Sequence, residues 1–529
     1  MPQSQYLRLG LPLGGLYRRL AYQVHPPFTT PSCSNVRPDD ALAQRERLGM
    51  RPGLAKHFAT QLGSGNPVRL VSDVLYQTSG VPATKLVASS NGLLYYSNGA
   101  AMTVVGGAPP TLASDLMLTA ADHLGLLYIA GSNDANTKLC VYDPNANTLA
   151  LVVATAGTIP VGCELVTMWR DRIVLAGDIN NPHLWYMSKS GTPTDWDYSP
   201  ATTTSLDAVS ATNSDAGRIG EPVTALVSHS DECMLFGCSS SIWALQGDPQ
   251  AGGRLIRLSE ECGILDRAAW CYDPEGYLYF LSQDGLYMMG PGCGETPTSV
   301  SRERLPAELF RIDRTAYTVS MAYDFMARGV HIFVTKNTAG ATTHFFIDVK
   351  QSSGGDKQGP TTASFWPATY AAASSVHEPF SLFSRRDYSP STTSLSPVIL
   401  GCRDGYLRQF DTAVYQDDGT GITWHVDFGP INLGGVGREG LLDELSVAVA
   451  AGSGNIQAAV RTGKTAEEAY SASAFATYDL NTAGLNLTHR PRMRGESGLV
   501  RFSGNESNTT AALEEVVIRR SAAGVRRPY

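Results

Sequence analysis

The chain has 529 residues, too many for one ordinary hydrophobic core, so two or three domains are expected. Its formal net charge of −8 argues against a protein held to nucleic acid or to an anionic membrane by an overall basic field. Charged residues make up only 17% of the chain, which favours a protein with much of its surface buried in an assembly, and its 52 Gly and 30 Pro fit an all-β fold with many turns.

Residues 1–67 lack alternating strand patterns and are expected to form an extended N-terminal arm. Within the arm, prolines favour polyproline or β geometry over 26–31, and a short helix is expected from Asp40 to Arg47. An arm with so little core should order on its own domains or on a neighbouring subunit. The first thirty residues contain no uninterrupted apolar run of the length that a signal peptide or membrane helix needs, so we expect no membrane span and assembly in a cytoplasm.

A repeated phrase of apolar strand, Gly-centred turn and aromatic-rich strand runs through residues 68–433. Its turns contain Gly92, Gly125, Gly276, Gly285 and Gly405. Hairpin units of this kind cannot bury their apolar faces alone, and radial stacking of small antiparallel sheets gives a β-propeller, here with six or seven blades. The candidate blades centre on 86–105, 116–153, 164–198, 222–258, 267–290, 317–348 and 379–411. Two Ser-rich stretches, 353–356 and 389–394, indicate surface insertions.

Residues 434–529 change character and predict a separate C-terminal β-domain with a sandwich-like pattern. Alternating strand patterns recur over 442–450, 456–461, 499–502 and 516–519. A short helix is expected around Thr465 to Tyr470. The predicted fold is therefore all-β, with an extended arm, a propeller and a C-terminal β-domain.

Searches for catalytic and ligand-binding motifs predict no enzyme, cofactor or metal site. No pair of histidines has metal-binding spacing, and no nucleophile elbow or phosphate loop is present. His123 and His229 lie beside turns and are expected to be solvated. The stretch 416–424 resembles the Asp-box hairpin of sialidases, but Gly419 occupies the position of its aspartate, and a true Asp box is a structural turn. The nine Cys form no CxxC pair and favour small buried thiols in a reducing compartment.

Arginines concentrate at the two ends of the chain, where we expect them to form contacts between subunits. Arg binds carboxylates in a bidentate manner and is enriched at interfaces, whereas the net negative charge of the chain disfavours contact with DNA phosphates. A solvated surface is the alternative for any exposed charge. The candidate assembly contacts are Arg37, Arg45, Arg47, Arg51, Arg490, Arg492, Arg494, Arg501, Arg526 and Arg527.

Several segments, taken together, resemble a group of bacteriophage tail proteins, the tail nozzle or tail tubular protein B-like virion proteins. The first carries Trp169-Arg170-Asp171-Arg172 and continues to Asn181-Pro182-His183-Leu184-Trp185. The others lie at 223–249, at 47–53 in the arm, at 410–419 with 433–434 where the propeller ends, and at 494–495, 501–504 and 526–527. The resemblance thus spans nearly the whole chain, although each phrase also has a structural explanation as a turn or hairpin edge.

The resemblance implies a structural virion protein of the tail, whose subunits form a hexameric ring that continues the DNA channel below the head-to-tail adaptor. Its implied partners are copies of itself, the adaptor and other tail proteins, including tail fibres, while genomic DNA passes without sequence-specific binding. An acidic ring repels the DNA backbone, and long loops help to gate genome release. Two alternatives stay open: a hub or minor tail protein of a longer-tailed phage, and a carbohydrate-binding or carbohydrate-cleaving adsorption propeller with solvent-facing aromatics.

Overall fold

The computed structural model describes residues 4–135, 137–301, 304–349, 363–370, 377–385, 397–434, 438–505 and 508–525. These residues form an all-β protein with six four-stranded antiparallel blades, a seventh blade whose sheet has six strands, and a C-terminal pair of five-stranded sheets. The predicted fold class is confirmed, and the blade number is seven. The two predicted insertions, 353–356 and 389–394, lie outside the described residues.

The first six blades follow one another along the chain, each with its strands paired in sequence order from the first to the fourth. Blades one to three consist of Val68–Thr78, Val81–Ser90, Leu93–Asn98 and Ala101–Val104; Thr119–His123, Leu126–Ala130, Leu139–Asp143 and Thr148–Leu151; and Cys163–Trp169, Arg172–Asp178, Trp185–Met187 and Val209–Ser210. Blades four to six consist of Val223–Ser230, Cys233–Cys238, Ile242–Gln246 and Arg254–Ser259; Trp270–Tyr272, Leu278–Ser282, Gly285–Met289 and Thr298–Ser299; and Tyr317–Asp324, Gly329–Lys336, His344–Asp348 and Ser364–Ala368.

The seventh blade takes its fourth strand from the N-terminal arm, and the short hairpin of Gln416–Asp417 and Thr420–Gly421 extends the sheet beyond that strand. Pro379–Ser384, Val398–Cys402 and Leu407–Asp411 are followed in the sheet by Gly53–Lys56, which pairs antiparallel to the third strand. Leu54 is fully buried against the sixth blade in this position. Because one blade is built from both ends of the propeller segment, the ring is closed by backbone hydrogen bonds.

The turn glycines that mark the repeats have the backbone conformation that the hairpins require. Asn91 and Gly92, for example, have φ values of 52° and 75° and join the second and third strands of blade one. Two consecutive positive φ values define a type I′ turn, whose twist matches that of the flanking strands. This local chemistry explains why the sequence predicted the hairpins.

Buried apolar clusters fill the gap between every pair of neighbouring blades, including the gap between the seventh and the first. At the seventh-to-first gap, Ile399 and Leu407 pack against Val68 and Leu86. We call the face where the first strands of the blades begin the upper face, and the face where they end the lower face. The first strands surround the central passage.

The C-terminal domain is a sandwich of two sheets that share one apolar core. In spatial order, the first sheet contains Ser4–Leu9, Leu513–Val525, Arg438–Val449 and Gly484–Leu485, with Met493–Gly495 also paired to Arg438–Val449, and the second contains Cys33–Ser34, Trp424–Asn432, Ser497–Gly504, Ile456–Gly463 and Ala476–Leu480. The single α-helix of the described residues, Ala466–Ser471, confirms the predicted short helix.

The N-terminal residues are built into both domains. Ser4–Leu9 and Cys33–Ser34 each add a strand to a sandwich sheet, and Leu16 and Asn35 donate backbone hydrogen bonds to the outer strand of blade six. Phe346 and Trp366 of that blade belong to the sandwich core. The arm therefore fastens the sandwich to the propeller.

The helix expected from Asp40 to Arg47 is not formed, and this prediction was wrong. Val36–Asp39 and Glu46–Met50 instead pair as a hairpin. The Asp40 carboxylate at its turn accepts hydrogen bonds from the backbone N–H groups of Leu42, Ala43 and Arg45. Aspartate competes with a helix by this route.

The remaining short elements are the hairpin strands Gln416–Asp417 and Thr420–Gly421, the parallel pair Ala156–Gly157 and Asp195–Trp196, and the 3₁₀ turns Tyr22–Val24, Pro249–Ala251 and Ala307–Leu309. Among the described residues, no helix has the length and apolar character needed to cross a membrane.

Candidate functional site

The most deeply buried of the candidate arginines, Arg51, fastens the arm to the hairpin that follows the propeller. Its two Nη atoms lie 2.8 and 2.5 Å from the carboxylate oxygens of Asp417. Its Nε donates to Asn35, and its remaining N–H groups donate to the carbonyl oxygens of Pro52 and Thr369. All guanidinium donors of Arg51 are thus used inside this chain. The hairpin within 416–424, whose sequence resembles an Asp box, supplies the Asp417 carboxylate that anchors the arm.

Three further candidate arginines also make contacts within the chain. Arg37 is buried with its guanidinium 4.3 Å from the centre of the Phe346 ring, and burial lowers its pKa to about 10. Arg501 makes a bidentate pair with buried Asp427 at 2.6 and 2.7 Å. Arg47 bridges the Asp40 and Glu514 carboxylates. Arg37 and Arg47, together with Arg51, therefore join the arm to the propeller and the sandwich, whereas the Arg501 pair links two strands within the sandwich.

The other candidate arginines lie on the surface. Arg45 and Arg492 are exposed, and Arg490 and Arg494 make ion pairs at 3.3 and 3.6 Å with Glu444 and Glu439 while remaining more than 60% exposed. Exposed pairs of this kind contribute only about 0–1 kcal/mol and leave the guanidinium groups accessible to a partner. Arg526 and Arg527 lie outside the described residues.

Arg490, Arg492 and Arg494 belong to one segment, residues 484–495, which follows one edge of the first sandwich sheet. The segment pairs with Arg438–Val449 near both of its ends. It also presents Leu485 and Leu487, whose exposed fractions of 72% and 85% are high for leucine. The opposite edge of the same sheet is Ser4–Leu9, on which Tyr6 is exposed. No described strand pairs with the outer side of either edge.

Arg267 crosses the central passage of the propeller at the upper face. It precedes the first strand of blade five, yet it donates to the carbonyl oxygen of Met117, before blade two, at 2.9 Å. It also pairs with Glu164 of blade three at 3.2 Å. Blades two and five lie on opposite sides of a seven-membered ring, so one arginine side chain spans the passage. At this level the propeller is narrower than a DNA duplex.

Two other arginines at the upper face flank the ring of Phe380. The guanidinium carbons of Arg69 and Arg403 lie 4.3 and 4.8 Å from its centre. Arg69 donates through Nε to the Ser114 carbonyl oxygen, whereas its buried Nη1 has no hydrogen-bond partner among the described residues. Burial lowers the pKa of Arg69 to about 10. The upper mouth therefore has a cationic side between blades seven and one.

The histidine–carboxylate pairs of blades six and seven are buried inside the propeller, where they have a structural role. His331 and Asp324, 3.1 Å apart, are buried between blade six and its neighbours, as is the hydrogen-bonded pair His344 and Glu378. Within the described ranges, no group of three or more His, Cys, Asp or Glu side chains is arranged to hold a metal ion. His123 was expected to be solvated, but it is buried, with Nε2 3.5 Å from the Asp171 carboxylate.

Two cysteines depart from the prediction of free thiols. Cys233 of blade four and Cys293, in the loop after the third strand of blade five, form a disulfide. The others are buried thiols: Cys33, Cys140, Cys163, Cys238, Cys262, Cys271 and Cys402. The prediction was wrong for the pair because 60 residues separate them, and only the adjacency of two blades brings them together.

A cavity of about 710 Å³ opens on the lower face between blades four, five and six. Its lining residues come from the ends of the first strands of blades four and five, from the loops after the first strands of blades five and six, and from the loop that carries Cys293. They are His229, Ser230, Tyr272, Asp273, Pro274, Gly276, Pro291 and Phe325. Sequence reasoning treated His229 as solvated, but it is half-buried beside Tyr272. The cavity was missed because three separate repeats supply it.

Comparisons with known proteins give no family. No protein-family model and no curated protein matches the chain. Among solved structures, the extracellular domain of a Bacteroides thetaiotaomicron protein described as a hybrid two-component system matches with a TM-score of 0.43 and 10% identity, over 83% of this chain and 49% of its own. Virginiamycin B lyase from Staphylococcus aureus matches with a TM-score of 0.39 and 10% identity, over 67% of this chain and 98% of its own. The chain thus spans about half the length of the first of these structures, and similarity at this level carries no information about activity.

Proposed function

We propose that the chain is a structural subunit of a bacteriophage tail nozzle, a ring that continues the DNA channel below the head-to-tail adaptor and helps to gate genome release. The observation that carries the proposal is the pair of unlike open edges on the first sandwich sheet. One edge is the segment 484–495, with exposed leucines and arginines, and the other is Ser4–Leu9.

Unlike edges suit a head-to-tail contact between identical subunits. A heterologous contact closes into a ring when the rotation between subunits fits, and an open strand edge is a template for pairing with another chain. The two edges lie on opposite sides of one sheet, so each subunit can contact one neighbour through the segment 484–495 and another neighbour through Ser4–Leu9. The resemblance of the sequence to tail nozzles implies six subunits.

Because the central passage of the propeller is blocked, DNA must take another path through the proposed ring. Because Arg267 spans the passage through the propeller, DNA would run through the opening between subunits, with the propellers as rigid walls. The net charge of −8 per chain supports a wall that repels the phosphate backbone and lets DNA slide.

Mass photometry of the purified chain over a range of concentrations tests the edge contact. We expect a ring species that is lost in Leu487→Asp combined with Arg490→Glu and Arg492→Glu, and also in Tyr6→Asp on the other edge. Leu124→Asp is the matched control, because Leu124 is 71% exposed on a turn of blade two and belongs to neither edge of the sandwich. A ring that persists in both edge variants would contradict the proposed contact.

A second experiment tests whether the protein is part of the phage tail. Antibodies against the chain should label the tail of phage particles that encode it. Particles that lack the protein would contradict a structural role in the virion.

A further inference from the structure

The cavity on the lower face has aromatic walls. Tyr272 closes one side, and its ring stacks on the imidazole of His229 with centroids 5.8 Å apart and an angle of 25° between the planes. Phe325, from the loop after the first strand of blade six, forms another part of the wall. Both aromatic side chains are only partly buried, so each keeps some ring surface that a ligand can contact.

Polar groups in the same cavity have unused hydrogen-bonding capacity. Oδ1 of Asp273 accepts from the backbone N–H groups of Glu275 and Tyr277, both at 2.9 Å, which fixes the carboxylate and leaves Oδ2 for a ligand. Burial raises the pKa of Asp273, so this carboxyl lacks full compensation in the unliganded protein. The Ser230 side chain adds a hydroxyl group.

His229 is held in one orientation, with its second nitrogen unpaired. Its Nδ1 lies 2.9 Å from the Tyr272 hydroxyl, whereas Nε2 is buried without a partner in hydrogen-bond geometry among the described residues. Burial lowers the pKa of His229, and the nearby carbonyl groups of Gly290 and Gly292 oppose the shift without reversing it. Because Nε2 is buried and Nδ1 is paired, the imidazole serves the cavity as part of its wall and as the support of the Tyr272 ring.

The disulfide fixes the wall that Pro291 contributes. Cys293 lies two residues after Pro291 and is bonded to Cys233 of the neighbouring blade. The loop that closes the cavity is thereby tied to blade four, and a wall fixed in advance costs less entropy to order when a ligand binds.

We propose that this cavity binds a neutral sugar ring, with its C–H face on Tyr272 and Phe325 and its hydroxyl groups on Asp273 and Ser230. The volume of about 710 Å³ lies in the range of small-molecule sites. No Lys or Arg lines the cavity, so nothing there neutralises a phosphate or an acidic sugar. A quaternary ammonium ligand suits the aromatic walls and the carboxylate, but it cannot form a hydrogen bond with the Ser230 hydroxyl group.

Sugar binding goes beyond the nozzle function, since a conduit for DNA needs no glycan site. It would give the tail contact with a surface glycan of the host. Ring formation and sugar binding use different domains, so each can fail while the other holds.

The test is a glycan array of neutral hexose oligosaccharides with the purified chain, followed by calorimetric titration of the best oligosaccharide and, in parallel, of choline. We expect saturable binding of a neutral oligosaccharide and none of choline. Phe325→Ala and Asp273→Asn should each weaken the affinity at least tenfold. Phe475→Ala, which removes an exposed phenylalanine from the sandwich, is the matched control and should leave the affinity unchanged.

Each result decides the proposal. Absence of binding across the array, preference for choline or for acidic glycans, or binding that survives both Phe325→Ala and Asp273→Asn overturns it. Circular dichroism and the melting temperature of each variant separate loss of the site from loss of the fold. Tyr272→Phe provides a variant that keeps the ring and removes only the hydroxyl contact with His229.

Discussion

Arg51 and Asp417 form a fully buried, two-point ion pair that joins the N-terminal arm to the chain after the last blade, 366 residues later. The ring of Tyr370 lies 4.3 Å from the Arg51 guanidinium carbon, and Asn35 and two carbonyl groups occupy the remaining donors. The pair lies at the junction of arm, propeller and sandwich, so it links the three parts in one cooperative unit.

Removing one partner of this pair should be costly. Asp417→Asn or Arg51→Ala leaves a buried charge or unpaired groups, and we expect a loss of about 3–5 kcal/mol in the free energy of unfolding. Chemical denaturation measures the loss. Arg8→Ala, which removes a surface ion pair with Glu515, is the control and should cost at most about 1 kcal/mol. If Asp417→Asn or Arg51→Ala lowers the free energy of unfolding no more than Arg8→Ala does, the Arg51–Asp417 pair does not hold the arm to the rest of the chain.

The closing strand of blade seven predicts that the propeller depends on its N-terminus. Leu54→Ala should lower the free energy of unfolding by about 2–5 kcal/mol, since Leu54 is fully buried between blades six and seven. Leu124→Ala, on an exposed turn, should have little effect. Deletion of residues 1–57 should abolish cooperative unfolding in calorimetry, and a truncated chain that melts like the full one would rule out this closure.

This closing strand also marks the limit of what the sequence could predict. The hairpins of blades one to six follow from local turn chemistry and strand alternation, so their positions were predictable. The four residues of Gly53–Lys56 carry no signal that assigns them to a sheet whose other strands begin at Pro379. Likewise, no local pattern pairs Arg51 with Asp417 or places His229 beside Tyr272, because tertiary contacts between distant repeats decide these neighbours.

Burial of histidines predicts a loss of stability in mild acid. Burial lowers the pKa of eight of the ten: His25, His57, His123, His229, His331, His377, His425 and His489. In the unfolded chain a histidine has a pKa of about 6.5, so between that pH and the lower folded pKa values the unfolded state binds more protons. The stabilisation is complete above about pH 6.5 and is lost as the pH falls below it.

Melting temperatures measured from pH 8 to pH 5 check this sign. We expect a plateau at the alkaline end and a decline that starts near pH 6.5. A melting temperature that stays level or rises between pH 7 and pH 5 would show that buried neutral histidines do not dominate this range.

The disulfide between Cys233 and Cys293 predicts that reduction destabilises the propeller. Closing a loop of 60 residues is worth about 4 kcal/mol on the chain-entropy estimate. Cys293→Ser should lower the melting temperature by a similar amount to added dithiothreitol, and dithiothreitol should have no further effect on that variant. Peptide mapping of unreduced protein should contain the linked peptides, whereas a complete set of nine free thiols would contradict the bond.

Cryo-electron microscopy of the assembled protein tests the nozzle proposal most directly. The expected result is a closed ring, six-fold by the resemblance to tail nozzles, with propellers as walls, an opening wide enough for duplex DNA, and the segment 484–495 of each subunit against Ser4–Leu9 of the next. A particle that stays monomeric at every concentration and in the presence of the phage tail, or a ring whose contacts leave both edges free, would contradict it.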